Sequence, residues 1–505
     1  MDENNRNQEP ANQETNHQET NQLKQIRRDK LKALQAAGKD PFEIVNFDDI
    51  TTTFHLVYEF NVYEGETIRM AGRIMSRRSM GKATFCDLED RDGRTQLYVK
   101  EAELAADSPL DYEDFKKIDI GDIVGITGVV FKTQKEEISV RVHQLVLLSK
   151  SLEILPEKFH GLTNTEQRYR QRYIDLIVNE STRDTFIKRS DVIRHLREYL
   201  HELSYLEVET PVLQTVYGGA NAEPFQTYHN ALDTKLYLRI SLETYLKRLI
   251  VGGFHKVFEI GRVFRNEGIS TRHNPEFTML ELYCAYVDYT EMMTLTEKLI
   301  QYVVYQTTNS YTLTYDGHEL NFRKPFARRS MIDLVKTYGG VDFNEIKDIE
   351  AARKAAEQAG IHVEKHHQIG DILNLFFEEK AEKHLIEPTF VIDYPVEISP
   401  LAKRQPHNKA MTERFELFIL GREYANAFSE LNDPIDQRKR FEAQEALKIA
   451  GDKEAMPLDE DFITALEYGM PPTGGLGIGI DRLVMLITGE PSIRDVLLFP
   501  TMKPL

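Results

Sequence analysis

A short stretch of this 505-residue chain concentrates residue types that can bind a nucleotide. Residues 258–283 have the pattern of two strands joined by a polar loop. Arg265 lies at the end of the first strand, and Arg272 and His273 lie in the loop. Guanidinium groups pair with phosphate oxygens, and an aromatic face such as that of Phe277 can stack on a purine base. The stretch therefore predicts a nucleoside triphosphate site.

The second strand of this stretch presents its polar groups on one face. Side chains two residues apart along a strand point the same way, so Phe277, Met279, Glu281 and Tyr283 share a face, and the apolar residues between them share the other. The alternative is an exposed hairpin laced with surface ion pairs. The convergence of charges from both strands on a glycine-containing loop favours a binding site.

Two common nucleotide folds do not fit this sequence. There is no Gly-Lys-Ser/Thr phosphate loop, and the glycines of residues 474–479 lack the dinucleotide-binding spacing. The elements around the stretch are a helix over residues 186–203, with apolar residues on one face, and a short strand closed by Pro211. Strands and helices then follow without a regular alternation. This pattern predicts an α+β domain built on a mainly antiparallel sheet flanked by helices.

The N-terminal part of the chain has a different pattern. Residues 1–22 are rich in Asn, Gln and Glu and are predicted to be a disordered tail, and residues 23–65 to form a basic helix and a lead-in. Five short strands and a helix near 101–117 predict an OB-type β-barrel over 66–150, a fold that often binds single-stranded nucleic acid. The strands are predicted at 68–74, 83–88, 95–99, 123–131 and 138–147. A linker is expected at 151–172, followed by a domain over 173–505 with a helical insertion around 345–385.

Composition limits the class of protein. Hydrophobic residues make up 41% of the chain and charged residues 29%, as in ordinary globular proteins. No apolar run approaches the roughly 18 residues of a membrane span, and no signal peptide is recognisable. With only two cysteines, a reducing cytoplasm is expected. The net charge of −18 does not exclude a nucleic-acid partner, because salt screens charge beyond roughly 10 Å and a basic face can be local.

Three motifs in order resemble the class II aminoacyl-tRNA synthetases, and most closely the lysyl-tRNA synthetases with an N-terminal anticodon-binding barrel. Residues 186–213 resemble the first motif, which forms the dimer interface of the family. Residues 258–283 resemble the second motif and residues 474–483 the third. The resemblance covers nearly the whole chain from about residue 23. It implies a homodimeric enzyme that uses ATP and Mg²⁺ to attach an amino acid to tRNA.

The resemblance also implies roles for single residues. Arg265 is expected to bridge the α-phosphate and the amino acid carboxylate, and Phe277 and Arg482 to cover the two faces of adenine. Glu416 and Glu423 match the carboxylates that bind magnesium beside the phosphates. Further contacts to the adenine and terminal phosphate are expected from Glu267, Arg272 and His273.

The amino acid follows from an acidic pocket. By resemblance, Glu430 and Tyr283 hold the side-chain ammonium of lysine, and Glu243 with the Gly219 backbone holds the α-amino group. Glu281 and Asn426 are expected to line the same pocket. Buried carboxylates are unfavourable unless a cation fills the space between them, which favours lysine over aspartate or asparagine. In the barrel, the anticodon-reading residues of the family correspond to Phe85, Gln96 and Glu137.

The sequence therefore predicts a lysine–tRNA ligase: lysine and ATP form lysyl-adenylate, and the lysyl group then passes to the terminal adenosine of tRNA(Lys). Two alternatives fit the sequence less well. A ligase that adds lysine to a protein would lack the barrel, and one that adds lysine to a lipid would add membrane spans. A catalytically silent RNA-binding relative would have no reason to retain the complete set of charged ligands.

Overall fold

The computed structural model describes residues 9–156 and 162–504, with side chains from residue 20 onward. The chain forms two compact units, Met1–Gly161 and Leu162–Leu505. The division between them falls inside the segment expected to be a linker. Within the described ranges, no helix is both long and apolar enough to cross a membrane. Each unit has a hydrophobic core of its own.

The helices of the first unit include one that begins earlier than expected. They are α1 (Glu9–Ala36), α2 (Thr53–Tyr58), α3 (Phe60–Tyr63) and α4 (Tyr112–Lys117). Part of the predicted disordered tail therefore lies in α1, while residues 1–8 are outside the described residues. No proline or glycine occurs between residues 11 and 37, so nothing in the sequence interrupts the helix. On α1, Arg27 is nearly buried and donates to the carbonyls of Ile120 and Glu153.

Five strands of the first unit close into the predicted barrel. Their spatial order is β1-β2-β3-β5-β4, and alternate side chains point into an apolar interior. A parallel pairing of β3 with β5 completes the closure. The five strands are β1 (Thr67–Met80), β2 (Ala83–Glu89), β3 (Arg94–Lys100), β4 (Ile123–Lys132) and β5 (Ile138–Ser149). The prediction of an OB-type fold is confirmed.

The helices of the second unit surround a large sheet. In chain order they are α5 (Thr165–Arg170), α6 (Arg172–Val178), α7 (Glu180–Glu202), α8 (Glu243–Val251), α9 (Tyr289–Thr308), α10 (Met331–Gly339), α11 (Ile349–Ala359), α12 (Ile369–Phe376), α13 (Pro434–Ile449), α14 (Glu460–Glu467) and α15 (Ile480–Thr488). α11 and α12 lie in the predicted insertion and share a separate apolar cluster with α10.

The sheet of the second unit has eight strands in the order β14-β15-β16-β17-β18-β11-β10-β6. Only its two outermost pairs are parallel, so the prediction of a mainly antiparallel α+β domain is confirmed. The strands of this unit are β6 (Leu206–Glu207), β7 (Leu213–Gln214), β8 (Gln226–His229), β9 (Thr234–Leu238), β10 (Lys256–Phe264), β11 (Glu276–Ala285), β12 (Thr312–Tyr315), β13 (His318–Asn321), β14 (Ala327–Ser330), β15 (Thr389–Ile392), β16 (Arg414–Ile419), β17 (Arg422–Ser429) and β18 (Thr473–Gly479).

β6 is shorter than the sequence pattern suggests. The strand ends at Glu207, because the backbone N–H of Thr210 donates to the Glu259 carboxylate instead of to a neighbouring strand. One buried carboxylate joins the three motifs. Asp481, in the first turn of α15, accepts a hydrogen bond from the backbone of Thr278 on β11 and pairs with Arg189 of α7. The central strand β11 is thereby fixed relative to α7 and α15.

Candidate functional site

A cavity of about 400 Å³ lies over the central strand of the large sheet. β18 runs between β11 and β17. On β18, Gly475 is paired in register with Tyr283 of β11 and with Phe428 of β17. A glycine leaves the floor of the cavity free of side chains. A Cβ atom on Gly475 would lie 1.9 Å from Glu430 Oε1 and 2.6 Å from Tyr283 Cε1, so only glycine fits there.

Three carboxylates line one end of this cavity. Glu243 begins α8, Glu281 lies on β11, and Glu430 follows the end of β17. All three are buried. Glu281 accepts hydrogen bonds from Ser241 Oγ at 2.8 Å and from the Leu242 backbone at 3.0 Å. Glu430 Oε1 has no hydrogen-bond donor among the described residues.

Burial shifts the titration of these carboxylates. It raises the pKa of Glu281 to about 7, and the nearby Glu243 carboxylate adds to the rise. Burial likewise raises the pKa of Glu430 well above its ordinary value, although the charge of Lys247 opposes the change. The Tyr283 hydroxyl donates to Glu281 Oε2 at 3.2 Å, and its own pKa is raised by burial and by the carboxylates. This end of the cavity is therefore built to receive positive charge.

Lys247 was not predicted from the sequence. Its side chain is fully buried, and its Nζ pairs with both Glu243 and Glu430. The only signal is the spacing of four residues between Glu243 and Lys247 on a helix, which more often marks a surface ion pair. The meeting with Glu430 joins residues almost two hundred positions apart, so only the fold reveals it.

Gly219 and Asn426 lie at the edge of the acidic end. Gly219 has φ +86°, a left-handed conformation, and a Cβ atom there would lie 2.7 Å from Ser241 Oγ. Asn426 lies on β17 and accepts a hydrogen bond from Arg414 Nε at 3.1 Å. Arg414, a second residue that the sequence reasoning missed, lines the cavity and also donates to Glu416 at 2.6 Å.

Basic and aromatic groups line the other end of the cavity. The guanidinium of Arg265 lies 5.1 Å from the ring centroid of Phe277 on β11. Burial lowers the pKa of Arg265, and Glu267, Glu423 and Glu281 partly offset the effect. Its buried Nε has no acceptor within the described part of the chain. A half-buried cation whose Nε lacks an acceptor is suited to an anionic ligand.

The loop between β10 and β11 adds three predicted residues, Glu267, Arg272 and His273, to the cavity wall. Ser270 Oγ accepts hydrogen bonds from the backbone N–H groups of Arg272 and His273 and so orders the loop. Burial and the charge of Arg482 lower the pKa of His273, which keeps its ring neutral near pH 7. A neutral imidazole can contact phosphate or base without bringing a further charge.

Glu416 and Glu423 face the same space from neighbouring strands β16 and β17. Glu416 accepts from Tyr394 at 2.8 Å, and burial with the nearby Glu423 raises its pKa to about 7. Arg482 Nη1 donates to the carbonyl of Glu423 at 2.7 Å and approaches its carboxylate at 3.2 Å. A second cavity of about 480 Å³ shares both glutamates and extends toward the insertion. No cluster of three metal-binding side chains occurs among the described residues.

All of the residues that the sequence assigned to the catalytic domain line the one cavity. They are Gly219, Glu243, Arg265, Glu267, Arg272, His273, Phe277, Glu281, Tyr283, Glu416, Glu423, Asn426, Glu430 and Arg482. The structure brings these residues together, whereas their individual roles stay predictions.

The outer face of the barrel carries a strip of aromatic rings. Phe85 and Tyr98 are paired across β2 and β3 with ring centroids 5.0 Å apart, and Tyr98 lies 6.3 Å from Phe131. The Arg141 guanidinium lies 5.0 Å from the Phe131 centroid. Half-buried rings beside a cation are typical of surfaces on which bases stack. The sequence reasoning found only Phe85 of this strip.

The other predicted barrel residues differ in exposure. Gln96 is buried and accepts a hydrogen bond from Ser139 Oγ at 3.1 Å, so its amide nitrogen is the group left for a ligand. Glu137 is exposed in the hairpin between β4 and β5. The basic residues Arg73 and Arg77 on β1 donate to the carbonyls of Gly121 and Ile118. Those carbonyls lie within reach inside the folded unit, which the sequence could not show.

Comparisons with known proteins agree with this geometry. Residues 164–503 match the family described as tRNA synthetases class II (D, K and N), and residues 68–148 match the OB-fold nucleic acid binding domain. A lysine–tRNA ligase of Thermoanaerobacter pseudethanolicus is 55% identical over 96% of each chain. One of Moorella thermoacetica is 55% identical over 95% of this chain and 98% of its own. One of Oceanobacillus iheyensis is 54% identical over 95% and 98%.

Proposed function

Because the chain belongs to the lysine–tRNA ligases of the class II synthetase family, we propose that its cavity binds L-lysine and ATP side by side. The chain catalyses the reaction of that family in two steps. The lysine carboxylate attacks the α-phosphate of ATP, releasing pyrophosphate and leaving lysyl-adenylate. The 3′-hydroxyl of the terminal adenosine of tRNA(Lys) then attacks the adenylate carbonyl, and AMP leaves.

The observation that carries the assignment of the pocket is its group of three buried carboxylates, Glu243, Glu281 and Glu430. In a medium of effective dielectric about 20, two opposite charges about 4 Å apart attract by about 4 kcal/mol. A tenfold preference needs only about 1.4 kcal/mol. Glu430 Oε1 has no donor among the described residues, so an ammonium group bound there would supply the hydrogen bond that this oxygen lacks. An aspartate or asparagine side chain would meet repulsion or an unpaired carboxylate there.

Each end of lysine is given its own contacts in this proposal. Glu430 and the Tyr283 hydroxyl oxygen accept hydrogen bonds from the side-chain ammonium. Glu243 and the Gly219 backbone receive the α-ammonium, and the left-handed conformation of Gly219 lets its backbone approach. Glu281 and Asn426 complete the wall between the two. The aliphatic chain of lysine passes over Gly475, whose lack of a side chain leaves space for it.

ATP occupies the basic end in this proposal. Arg265 contacts both the lysine carboxylate and the α-phosphate, so it stabilises the charge that develops as the new bond forms. Phe277 stacks on adenine and Arg482 covers the opposite face. The remaining adenine and terminal-phosphate contacts come from Glu267, Arg272 and His273. No side-chain nucleophile takes part, so catalysis depends on positioning and electrostatics.

Glu416 and Glu423 are proposed to hold Mg²⁺ together with the phosphates. Mg²⁺ is commonly bound by one or two carboxylates, with substrate phosphates and water as the other ligands. Two glutamates that face one space fit that pattern, and the lack of a third protein ligand among the described residues fits a metal that arrives with the nucleotide. When bound, the ion neutralises phosphate charge. Arg414 and Tyr394 orient Glu416 for this contact.

The barrel is proposed to read the anticodon of the tRNA. Phe85 stacks on a base, and Gln96 and Glu137 contact base edges. Gln96 fits this role because Ser139 orients its amide and leaves the nitrogen free to donate. Tyr98 and Phe131 extend the stacking surface beside Phe85.

A homodimer in the cytoplasm completes the proposal. Apolar side chains are exposed on α7 and the segment after it, where the first motif lies: Ile187, Leu203, Leu206, Val212 and Leu213. Exposed apolar groups close together in sequence are typical of an interface. The thiols of Cys86 and Cys284 are free and buried, in keeping with a reducing compartment.

The experiment that tests the function is pyrophosphate exchange into ATP, driven by each of the twenty amino acids in turn. Lysine is expected to support exchange far above the others. Exchange driven by aspartate or asparagine, but not by lysine, would overturn the substrate assignment.

A further inference from the structure

A lysine of the protein itself lies behind the acidic end of the cavity. The Nζ of Lys247 pairs with Glu243, one turn earlier on α8, and with Glu430 after β17. The ring centroids of Phe428 and Phe462 lie 5.4 Å and 5.8 Å from this nitrogen. Among the described residues, both carboxylates line the cavity and Lys247 does not. The ammonium group therefore contacts the carboxylates from outside the space that the substrate occupies.

Few other charged groups act on this pair of carboxylates. Glu281 and Tyr283 face them from β11, and Arg414 faces Glu243 from β16. Arg414 is already engaged with Glu416 and Asn426. Lys247 is thus the one cation of the described chain in direct contact with both glutamates.

The charges at this end of the cavity give Lys247 a specific effect. The carboxylates of Glu243, Glu281 and Glu430 bring three negative charges when ionised, and Lys247 neutralises one. The two that remain equal the two ammonium groups of L-lysine. An amino acid with a neutral side chain brings only one ammonium and would leave a buried carboxylate unpaired, which is unfavourable.

We propose that Lys247 is a positioning residue that determines specificity: it holds Glu243 and Glu430 in place and leaves the pocket with two uncompensated negative charges when all three glutamates are ionised. The inference rests on the proposed assignment of these carboxylates to lysine. It adds a residue that touches neither substrate and acts through its two partners.

A structural role alone does not explain the choice of lysine at this position. Replacement of a whole buried group of paired charges by well-packed apolar residues is often neutral or stabilising, so packing by itself does not require a charge at this position. The aromatic surroundings of Lys247 would accept a methionine of similar length. The charge therefore has value for the carboxylates and not for packing.

The test compares two neutral variants with a charged one. Lys247→Met and Lys247→Gln remove the charge, whereas Lys247→Arg keeps it. Without the cation, the buried carboxylates retain protons up to higher pH, and lysine must displace them in order to bind. At pH 7 we expect both neutral variants to raise the KM for lysine about tenfold or more, while the KM for ATP stays within about twofold.

The pH profile separates charge from structure. The pH below which lysine binding weakens should move up by about one unit or more in Lys247→Met and Lys247→Gln, but not in Lys247→Arg. A merely structural role would be restored by Gln, which can hydrogen-bond to both carboxylates. The matched control is Lys150→Met, because Lys150 is also buried and also pairs with two carboxylates, Asp119 and Asp122, in the other unit. It should leave both the lysine KM and its pH profile unchanged.

Pyrophosphate exchange and circular dichroism supply the measurements. An unchanged lysine KM and pH profile in a folded neutral variant would overturn the inference, as would restoration by Gln. If the neutral variants are unfolded at pH 7, the inference requires them to fold near pH 5.5, where the carboxylates take up protons. Variants unfolded at both pH values would show that Lys247 is structural. Failure of the unsubstituted enzyme to use lysine would instead overturn the proposed function.

Discussion

Each unit of this protein contains a buried lysine between two carboxylates, and the two centres differ in how completely their hydrogen bonds are satisfied. In the barrel unit, Lys150 donates to Asp119 and Asp122, and Asp122 also accepts from the backbone of Ser151. Burial raises the pKa of Asp119, but hydrogen bonds from Lys150 and Lys30 together lower it below its usual value. This centre is closed, and its groups are paired within the unit.

The centre at Lys247 is open. Glu430 Oε1 has no donor within the described residues, and burial raises the pKa of Glu243 as well as that of Glu430, despite the opposing charge of Lys247. A lysine between two carboxylates thus stabilises the fold when every oxygen has a donor. When the carboxylates border a cavity, the same arrangement leaves them in need of further positive charge. The role of a buried ion pair therefore depends on which of its carboxylate oxygens still lack a hydrogen-bond donor.

Removal of the Lys150 charge from the closed centre should have the greatest effect on stability. Lys150→Met leaves Asp119 and Asp122 buried without their cation, and loss of one partner of a buried pair typically costs about 3–5 kcal/mol. The free energy of unfolding of the barrel unit should fall by that amount in a urea titration followed by circular dichroism. Lys247→Met should cost less, because its carboxylates can take up protons. Equal losses in the two variants would remove the distinction between the centres.

A side chain added to β18 should block the acidic end of the cavity. Gly475→Ala places a methyl group against Glu430 and Tyr283. The lysine KM should rise about a hundredfold, equivalent to about 2.7 kcal/mol. Gly477→Ala adds the same methyl group to the same strand, where its nearest neighbour, Met279 Cε, would lie 3.4 Å away, so the rise in KM should be smaller there. Similar KM values for the two variants would show that Gly475 does not border the bound amino acid.

Loss of the Phe85 ring on the outer face of the barrel should affect only the reaction that involves tRNA. Phe85→Ala should weaken charging of tRNA about thirtyfold, in line with a stacking contribution of about 2 kcal/mol per base. Adenylate formation, followed by pyrophosphate exchange without tRNA, should be unaffected. Equal losses in the two reactions would mean that Phe85 supports the barrel and does not contact a base.

Removal of the Glu430 charge tests whether this carboxylate contacts the substrate ammonium. Glu430→Gln keeps the shape of the side chain but loses the carboxylate, so the lysine KM should rise at least tenfold, about 1.4 kcal/mol or more. Glu413→Gln offers a control near the same strands, outside the lining of the cavity. A lysine KM for Glu430→Gln within experimental error of the control would show that this carboxylate does not contact the ammonium.

The smallest effect is a pH dependence in the unsubstituted enzyme. The pKa of Glu281 is raised to about 7 by burial. A carboxyl group with a raised pKa is protonated below that value, and lysine binding needs the charged form, so affinity is full above pH 7 and falls below it. Calorimetric titration should show the dissociation constant for lysine rising by up to about tenfold between pH 8 and pH 6. A constant value across that range would contradict the titration of this centre.

Local patterns in the sequence predicted most of the fold. The five barrel strands and the two strands on either side of the loop at residues 265–275 occur where alternation of apolar residues placed them. Such patterns depend on neighbours two to four residues apart, which the sequence displays directly. The start of α1 and the early end of β6 were not predicted. The first depends on a helix that continues through a polar segment, and the second on a side chain that competes for a backbone N–H.

The candidate site was predicted from its residue types, whereas its electrostatics were not. The second motif holds seven of the lining residues on one short segment, and Arg482 lies in the third motif. The other six were assigned one at a time from the resemblance to the family. Lys247 was missed because its partner Glu430 is distant in the sequence, and Arg414 because the pairing of β16 with β17 brings Asn426 beside it. On a helix, Glu243 and Lys247 are an ordinary pair four residues apart, and nothing local shows that both are buried.

The two folds could therefore be predicted from periodicity, the family from three motifs, and the residues around the cavity from the second motif together with the resemblance to the family. The folded structure was needed to show which charges are buried, which oxygens remain without a donor among the described residues, and where the protein supplies its own cation. Burial and pairing depend on the approach of segments far apart in the chain. The strength of an electrostatic interaction depends on the effective dielectric around the charges, which residue type alone does not specify.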